Sequence, residues 1–461
     1  MAKCPPFTKE AQDSEIYYLF LQLMILPAIR RKGFWFWDSI RGSEVRRHLQ
    51  AIQRINRDQE SDFALGERKK YLSAILDHCK QTVPFYQDSG NSGPALPDFP
   101  VTNKNLIREH FDLFRSDAYP DARTYKATTS GSTGTPFTIL HDAGKKKRHI
   151  ADTLYFGDAV GHALGYRLYY LKIWNEGNQK SQWIRNLQNI VPVDVFQMTD
   201  ERIAELLEAL RKDASPKSLL GYASALDVIA AYIEKHPSAG PIPAIRSVTA
   251  MSEALAEPTK KALATYFRCP VISRYGNLEN GILAQQTRAL PEQFLMNLAS
   301  YEIEILKLGR DVPVAEGEMG RIVVTDLFNR AMPLIRYDTG DIGCTGKIEA
   351  VGANQYVFKR IEGRKMDAVY NTKGELISSY LFANQMWKYK ELDQFQFIQH
   401  AQKDYEFRLS SPKKFERERE LLEEFRGFLG QDANIRVTYV DEIPLLSSGK
   451  RRKVVSKLPV K

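Results

Sequence analysis

Apolar positions in this chain recur with two different periods, and the changes between them set out its elements. Tyr71, Leu72, Ile75, Leu76 and Cys79 fall at i, i+3/i+4 spacing and form one buried helix face. The charged stretch Ser43 to Lys80 is expected to be helical. It should end at Val83-Pro84, because a residue before proline avoids the α region. Pro94, Pro97 and Pro100 mark a loop, and Thr102 is the expected cap of a helix running through Asn105 to Phe111. Ile203, Leu206, Leu207 and Leu210 make a second amphipathic helix, and Ala223 to Lys235 a third.

Short apolar runs at Ser247–Met251 and Val271–Tyr275 read as buried strands on either side of a helix over Pro258–Phe267. Strand, helix, strand in that order points to an α/β layer. Ile322–Thr325 is a further strand. After a linker near Ile361–Arg364, residues 362–461 combine short strands (Phe395–Gln399, Ile435–Val440) with a charged helix, Lys414 to Leu429. The expected fold class is therefore α/β, a large N-terminal unit (1–361) followed by a small α+β domain (362–461).

Ile16 to Ile29 carries no charge and is followed by Arg30, Arg31, Lys32 and then Phe34 to Trp37. The run is shorter than the ~20 residues that span a bilayer, Pro27 interrupts it, and no signal-peptide cleavage pattern follows. Residues 1–44 are expected to pack as a helix, with a peripheral membrane foot as the alternative. The composition, 43% hydrophobic and 26% charged, is that of a folded, non-membrane protein. A net charge of +9 suits an anionic ligand without choosing which one. Cys4, Cys79, Cys269 and Cys344 lie far apart with no CxxC pair, so core thiols in a reducing cytoplasm are expected rather than disulfides or zinc.

Four segments could carry chemistry. Thr129-Ser130-Gly131-Ser132-Thr133-Gly134-Thr135-Pro136 could turn backbone N–H groups and hydroxyls around phosphates, or be a plain flexible turn; it lacks the GxxxxGK[ST] pattern. Tyr275-Gly276-Asn277-Leu278-Glu279 closes a buried strand, where ligands collect in α/β sheets, and Glu279 could hold Mg²⁺ or simply be a solvated Glu after a tyrosine-glycine turn. Arg336-Tyr337-Asp338-Thr339-Gly340-Asp341 places an Asp after a tight Thr-Gly turn, suited to vicinal ribose hydroxyls or simply to a hairpin turn. Ser447-Ser448-Gly449-Lys450 puts a lysine on a flexible loop that could reach into another domain, although a basic tail can equally be solvated. Lys145-Lys146-Lys147-Arg148 reads as a solvated helix start, and no aromatic residues interleave it for base stacking, so no nucleic acid is expected.

In this order the four segments resemble the core motifs of the adenylate-forming superfamily: acyl-CoA synthetases, peptide-synthetase adenylation domains and luciferases. Gly317–Thr325 running into Arg336–Asp341, with Ser252-Glu253 ahead of Tyr275, is similar to the phenylacetate–CoA ligase-like branch and its CapK-type members associated with surface polysaccharide synthesis. The likeness extends from about residue 45 to 455.

The resemblance implies a large adenylate-forming domain of several subdomains with a mobile C-terminal lid, ATP and Mg²⁺ as cofactors, and a small carboxylate substrate. By that resemblance Thr129, Ser130, Gly131, Ser132, Thr133, Gly134 and Thr135 would hold the β- and γ-phosphates, and Ser252, Glu253, Tyr275 and Gly276 would line the adenine site. Asp341 would bind the ribose hydroxyls, Arg364 the ribose or phosphate from the hinge, and Glu279 the metal. Lys450 would serve catalysis at the α-phosphate. The acyl acceptor would be coenzyme A; an amine or hydroxyl, as on an amino sugar, is the alternative, and AMP transfer to a cofactor a further one. The acyl pocket is expected between Ala151 and Phe196 and around Asn277–Ile282. Three positions depart from the pattern: Leu278 replaces a Thr or Ser, Phe137 follows Pro136 without the wider superfamily's lysine, and Met366 stands where the hinge commonly has an acid.

Overall fold

In a computed structural model the chain is described over residues 26–458, apart from 89, 91, 121–123, 130–136, 175–180, 196–197, 238–241, 351, 365–368, 378–381, 383–384, 387, 390, 412, 414 and 445–451. Residues 26–40 form helix α1, followed by α2 (Glu44–Arg57) and α3 (Asp62–Thr82). The stretch expected as one helix is thus two, because Ser61 accepts from the Ala64 N–H and starts α3 afresh. The expected face is largely right: Ile75, Leu76 and Cys79 are buried.

Helix α4 (Lys104–Glu109) is capped by Asn103, whose side chain accepts from the N–H groups of Asn105 and Leu106. Thr102, the expected cap, is instead fully buried and donates to the Ile335 carbonyl at 3.1 Å, tying the α4 entry to the segment before Tyr337. That tertiary bond displaces the local one.

A hairpin, β1 (Tyr125–Thr129) and β2 (Phe137–His141), precedes helix α5 (Ala143–Asp158). The strands that follow are β3 (Arg167–Lys172), β4 (Ile190–Asp194), β5 (Lys217–Tyr222), β6 (Ile245–Met251), β7 (Val271–Asn277), β8 (Gly281–Gln285), β9 (Phe294–Met296), β10 (Tyr301–Leu306), β11 (Gly320–Asp326), β12 (Tyr337–Ala350) and β13 (Ala353–Arg364). They form one eleven-stranded sheet in the order β10-β11-β12-β13-β9-β8-β7-β6-β5-β3-β4. From β4 to β7 the pairing is parallel, and at β8 it turns antiparallel. Helices α6 (Asp200–Lys212), α7 (Ala223–Lys235) and α8 (Glu257–Phe267) bury Leu206, Leu210, Leu226, Ile229 and Leu263 in one core with Leu171, Leu219 and Val248 of the parallel strands. The parallel arm is apolar because helices must cover it.

Ile361–Arg364 continues β13 against β12, so the expected linker is the last stretch of a strand. The C-terminal residues form a second sheet from β14 (Gln394–Ala401), β15 (Asp404–Ser410), β16 (Asn434–Tyr439) and β17 (Val454–Ser456), in the order β16-β15-β14-β17. Helix α9 (Glu418–Leu429) is shorter than expected and packs Leu421 and Phe425 against Phe397 and Phe407 of that sheet. The fold class is as expected: a large α/β unit and a small α+β one.

Candidate functional site

The site lies where the parallel arm gives way to the antiparallel one, at the C-terminal end of β7. Such switch points leave a crevice that no crossover fills. Gly276 lets β7 turn tightly into β8, since a Cβ there would come within 2.2 Å of the Gly281 carbonyl oxygen. Just before it, the Tyr275 hydroxyl donates to Asp341 Oδ2 at 2.8 Å and lies 3.5 Å from Thr339 Oγ1. Burial, and then the neighbouring Asp341 charge, push the Tyr275 hydroxyl well above its ordinary pKa, so it stays a donor.

Asp341 is not on a hairpin turn. Thr339-Gly340 lies inside the continuous strand β12, where Gly340 takes φ +81° and the pairing with β13 shifts register after Asp341. The bulge re-aims the carboxylate out of the ladder. Arg364 pairs directly with Asp341 across it, so two residues expected to share the ribose are backbone neighbours.

Glu279 is 2% exposed. Its Oε1 accepts from the Tyr337 hydroxyl at 2.7 Å and forms an ion pair with Lys104 Nζ at 2.7 Å, while its backbone carbonyl meets His141 Nε2 at 2.8 Å. Burial and the Glu279 charge raise the Tyr337 hydroxyl well above its ordinary pKa. The Tyr337 ring is parallel to that of Phe137 at 6.4 Å, and Phe137 is the residue that pairs with Thr129 to close the β1–β2 hairpin. Both strand ends that bracket residues 130–136 thus stand beside Glu279. Ser130, Gly131, Ser132, Thr133, Gly134 and Thr135 lie outside the described residues, as does Lys450; Thr129 and Arg364 are described in backbone only.

Among the described residues both contacts of the Glu279 carboxylate fall on Oε1, and none of these residues bonds Oε2. That oxygen suits a hard cation, and no cluster of three or more His, Cys, Asp or Glu exists among the described residues. One carboxylate with phosphate oxygens and water completing the shell is how Mg²⁺ is commonly held, so the residues fit it.

Lys104 was missed by reading the sequence. It occupies the first turn of α4, where the helix dipole disfavours a cation. A lysine at that position is the local sign of an anion held nearby.

Ser252 follows β6 with φ +72°, level with Tyr275 because Met251 pairs with Arg274. Glu253 Oε2 accepts from the Ser224 N–H at 3.1 Å and so caps α7. From the small domain Lys453 Nζ reaches Asp227 Oδ2 on α7 at 2.8 Å, and Thr259 donates to the other oxygen at 2.6 Å. Burial acts to lower the Lys453 pKa, but the Asp227 charge more than offsets it and the pKa ends above the ordinary lysine value.

On the opposite face of β7, Arg274 donates through Nε to Gln285 Oε1 at 2.6 Å and makes no ion pair among the described residues. Burial lowers its pKa to about 10. Tyr170, with Trp174 edge-on to it, is near Arg274, and its hydroxyl is 3.9 Å from Met251 Sδ. This sets part of the aromatic stretch beside a lone guanidinium.

The lysine run does start a helix but is solvated only in part, with Lys146 exposed and Lys147 half-buried. Lys145 is buried against Asp326 at 2.5 Å, and Arg148 is buried, donating to Ser300 Oγ and the Ala299 carbonyl.

Residues 369–457 match the CapK C-terminal domain family. Most of the chain superposes on 2-hydroxyisobutyryl-CoA ligase in its postadenylation state with 2-HIB-AMP (TM-score 0.66, 15% identity, 85% of this chain and 89% of that one). The chain has the adenylate-forming fold with a CapK-type C-terminal domain. The same ligase with 2-HIB-AMP and CoA in its thioesterification state superposes at TM-score 0.55 (16% identity, 87% and 91%). An ATP-bound RpMatB-BxBclM chimera does so at 0.51 (14% identity, 71% and 66%). No curated protein matches the sequence. Within this adenylate-forming fold no described helix is long and apolar enough to cross a membrane.

Proposed function

We propose that the chain is an AMP-forming ligase of the cytoplasm that activates a carboxylate with ATP and passes the acyl group to a thiol, coenzyme A. The observation that supports this most is the meeting of Tyr275 with Asp341, and of Glu279 with the ends of the β1–β2 hairpin, at one sheet terminus.

In the first step a carboxylate oxygen attacks the α-phosphorus, the bond to the bridging oxygen breaks, and pyrophosphate leaves. Ser252, Glu253, Tyr275 and Gly276 line the adenine. Asp341, already oriented by the Tyr275 hydroxyl, takes the ribose hydroxyls, with Arg364 beside it. Thr129 to Thr135 hold the β- and γ-phosphates, and Lys104 supplies a cation at the same place. Glu279 Oε2 would hold Mg²⁺, which neutralises charge on the phosphates. Lys450 stabilises charge growing on the α-phosphate, the kind of term that dominates phosphoryl transfer. In the second step the acceptor attacks the acyl carbon and AMP leaves; acyl-AMP is reactive enough that positioning and exclusion of water suffice.

The CapK-type C-terminal domain supports a second reading, in which the acceptor is an amine or hydroxyl, as on an amino sugar in surface polysaccharide synthesis. AMP transfer to a cofactor would need no carboxylate at all. Mass spectrometry after incubation with ATP, Mg²⁺ and an acid panel, without acceptor, separates these. Acyl-AMP should accumulate with one acid class and be consumed on adding coenzyme A. Consumption by an amino sugar alone would favour the second reading, and failure of any acid to give acyl-AMP would refute both.

A further inference from the structure

Helix α1 shows two unlike faces. Pro27 and Asp38 are buried, and Phe34 and Trp35 pack against the core that holds Val45, Ile52 and Ala151. The Pro27 carbonyl lies so close to Gly165 that a Cβ there would come within 2.3 Å of it. The helix is therefore seated on the large domain with a fixed outer face.

That outer face is apolar. Ile29 is 56% exposed, Phe36 65%, Trp37 60% and Ile40 62%, with Leu26 at 48%. At the helical pitch these residues fall within an arc of roughly 100°. Isolated exposed apolar residues need no explanation, but a seated helix presenting five of them in one stripe does.

Lys32 borders one edge of the arc, and Arg30 and Arg41 the other, with Arg31, Arg46 and Arg47 nearby. The two acids among the described residues 26–47 are engaged elsewhere. Asp38 accepts from the N–H groups of Val45 and Arg46 at 3.0 Å each, and Glu44 pairs with Lys147. Arg41 lies 5.3 Å from the Trp37 ring centre. Aromatic and aliphatic residues on one arc, with cations along both edges that make no ion pair among the described residues, match a lipid surface that is apolar below and anionic at the headgroups. A protein partner would not need cations on both edges, and a soluble polyanion would not need the apolar arc.

We propose that α1 is an interfacial foot that seats this protein on an anionic lipid surface, with Leu26, Ile29, Phe36, Trp37 and Ile40 in the headgroup–acyl boundary. The foot lies outside the candidate site, so the inference stands apart from the ligase reading.

The test is co-sedimentation of the full chain with vesicles of phosphatidylcholine alone and of phosphatidylcholine with phosphatidylglycerol, with heparin as a soluble polyanion control. Binding should be at least about tenfold stronger to the anionic vesicles. A Phe36→Ser, Trp37→Ser, Ile40→Ser triple variant should lose at least about tenfold of it, with its melting temperature kept because these side chains are exposed. Tryptophan emission should shift to the blue on binding in the native chain and less in Trp37→Phe. Equal binding to both vesicles, an unaffected triple variant, or heparin binding that survives the triple variant and accounts for all anion affinity would each overturn the proposal. So would self-association through this face that excludes vesicles.

Discussion

Lys453 of the small domain and Asp227 of α7 meet at 2.8 Å, and Thr259 holds the other carboxylate oxygen at 2.6 Å. This ion pair joins the two domains beside the helix that Glu253 caps. A lid that turns between two half-reactions must break it. Asp227→Asn should therefore slow adenylation by about fivefold, the value of a partly exposed pair. It should leave acyl transfer from supplied acyl-AMP nearly unchanged. The Asp227→Lys, Lys453→Asp exchange should restore adenylation in part. Equal losses in both half-reactions would mean the pair is merely structural.

Arg274 is placed at a cost. Arg274 is half-buried, and a guanidinium whose one hydrogen-bond partner among the described residues is neutral is poorly compensated for its lost hydration. Arg274→Met should raise thermal stability by about 1–2 kcal/mol and raise KM at least about tenfold for acids bearing a second polar or anionic group. Acids with apolar tails should lose little. Calorimetry with exchange kinetics over an acid panel checks both halves, and a destabilised variant with unchanged KM values would count against a substrate role.

Lys104 and Glu279 predict a split phenotype. Lys104→Met removes the cation beside a buried carboxylate, so nucleotide affinity should fall by about tenfold or more while metal dependence remains. Glu279→Gln keeps the size and the bond from Tyr337 but loses the charge, and should need much more Mg²⁺ for half-maximal exchange. A magnesium titration of both variants decides whether Oε2 faces the metal.

Acid should destabilise the fold through two histidines. Burial, aided by Arg148 at His48 and Arg274 at His162, holds both pKa values at about 4, below the ordinary 6.5. A depressed folded pKa means the neutral form fits the fold, so this stability is present above pH 6.5 and lost as pH falls toward 4. The loss is on the order of 3 kcal/mol per histidine at full titration. Melting curves between pH 7 and about 4 should show the fall, and His162→Phe should flatten it. An unchanged slope in that variant would remove His162 from the account.

Much of this fold was legible because its signals are local. Leu206 and Leu210 at helical spacing, and Val271–Tyr275 between breakers, became a buried helix face and a parallel strand. The failures came from distant partners. Thr102 looked like a cap, but the Ile335 carbonyl far along the chain claims its hydroxyl, and Asn103 caps instead. Thr339-Gly340 looked like a turn, yet β11 and β13 hold it in a bulged strand. Lys145 and Arg148 looked like surface charges, although Asp326 and Ser300 receive them in the interior. Motif order brought Tyr275, Asp341 and Glu279 forward as candidates, and in the structure the Tyr275 hydroxyl does meet Asp341. Lys104 was not brought forward, because its meaning rests on Glu279 arriving from another part of the chain.

Carboxylate-dependent exchange of pyrophosphate into ATP tests the central claim most directly, since it reports the adenylation step without any acceptor. The native chain should exchange only when a suitable acid is present, with Mg²⁺ required, and Lys450→Ala and Asp341→Ala should each reduce exchange by at least about a hundredfold. An acid-independent exchange, or one untouched by both substitutions, would contradict the account.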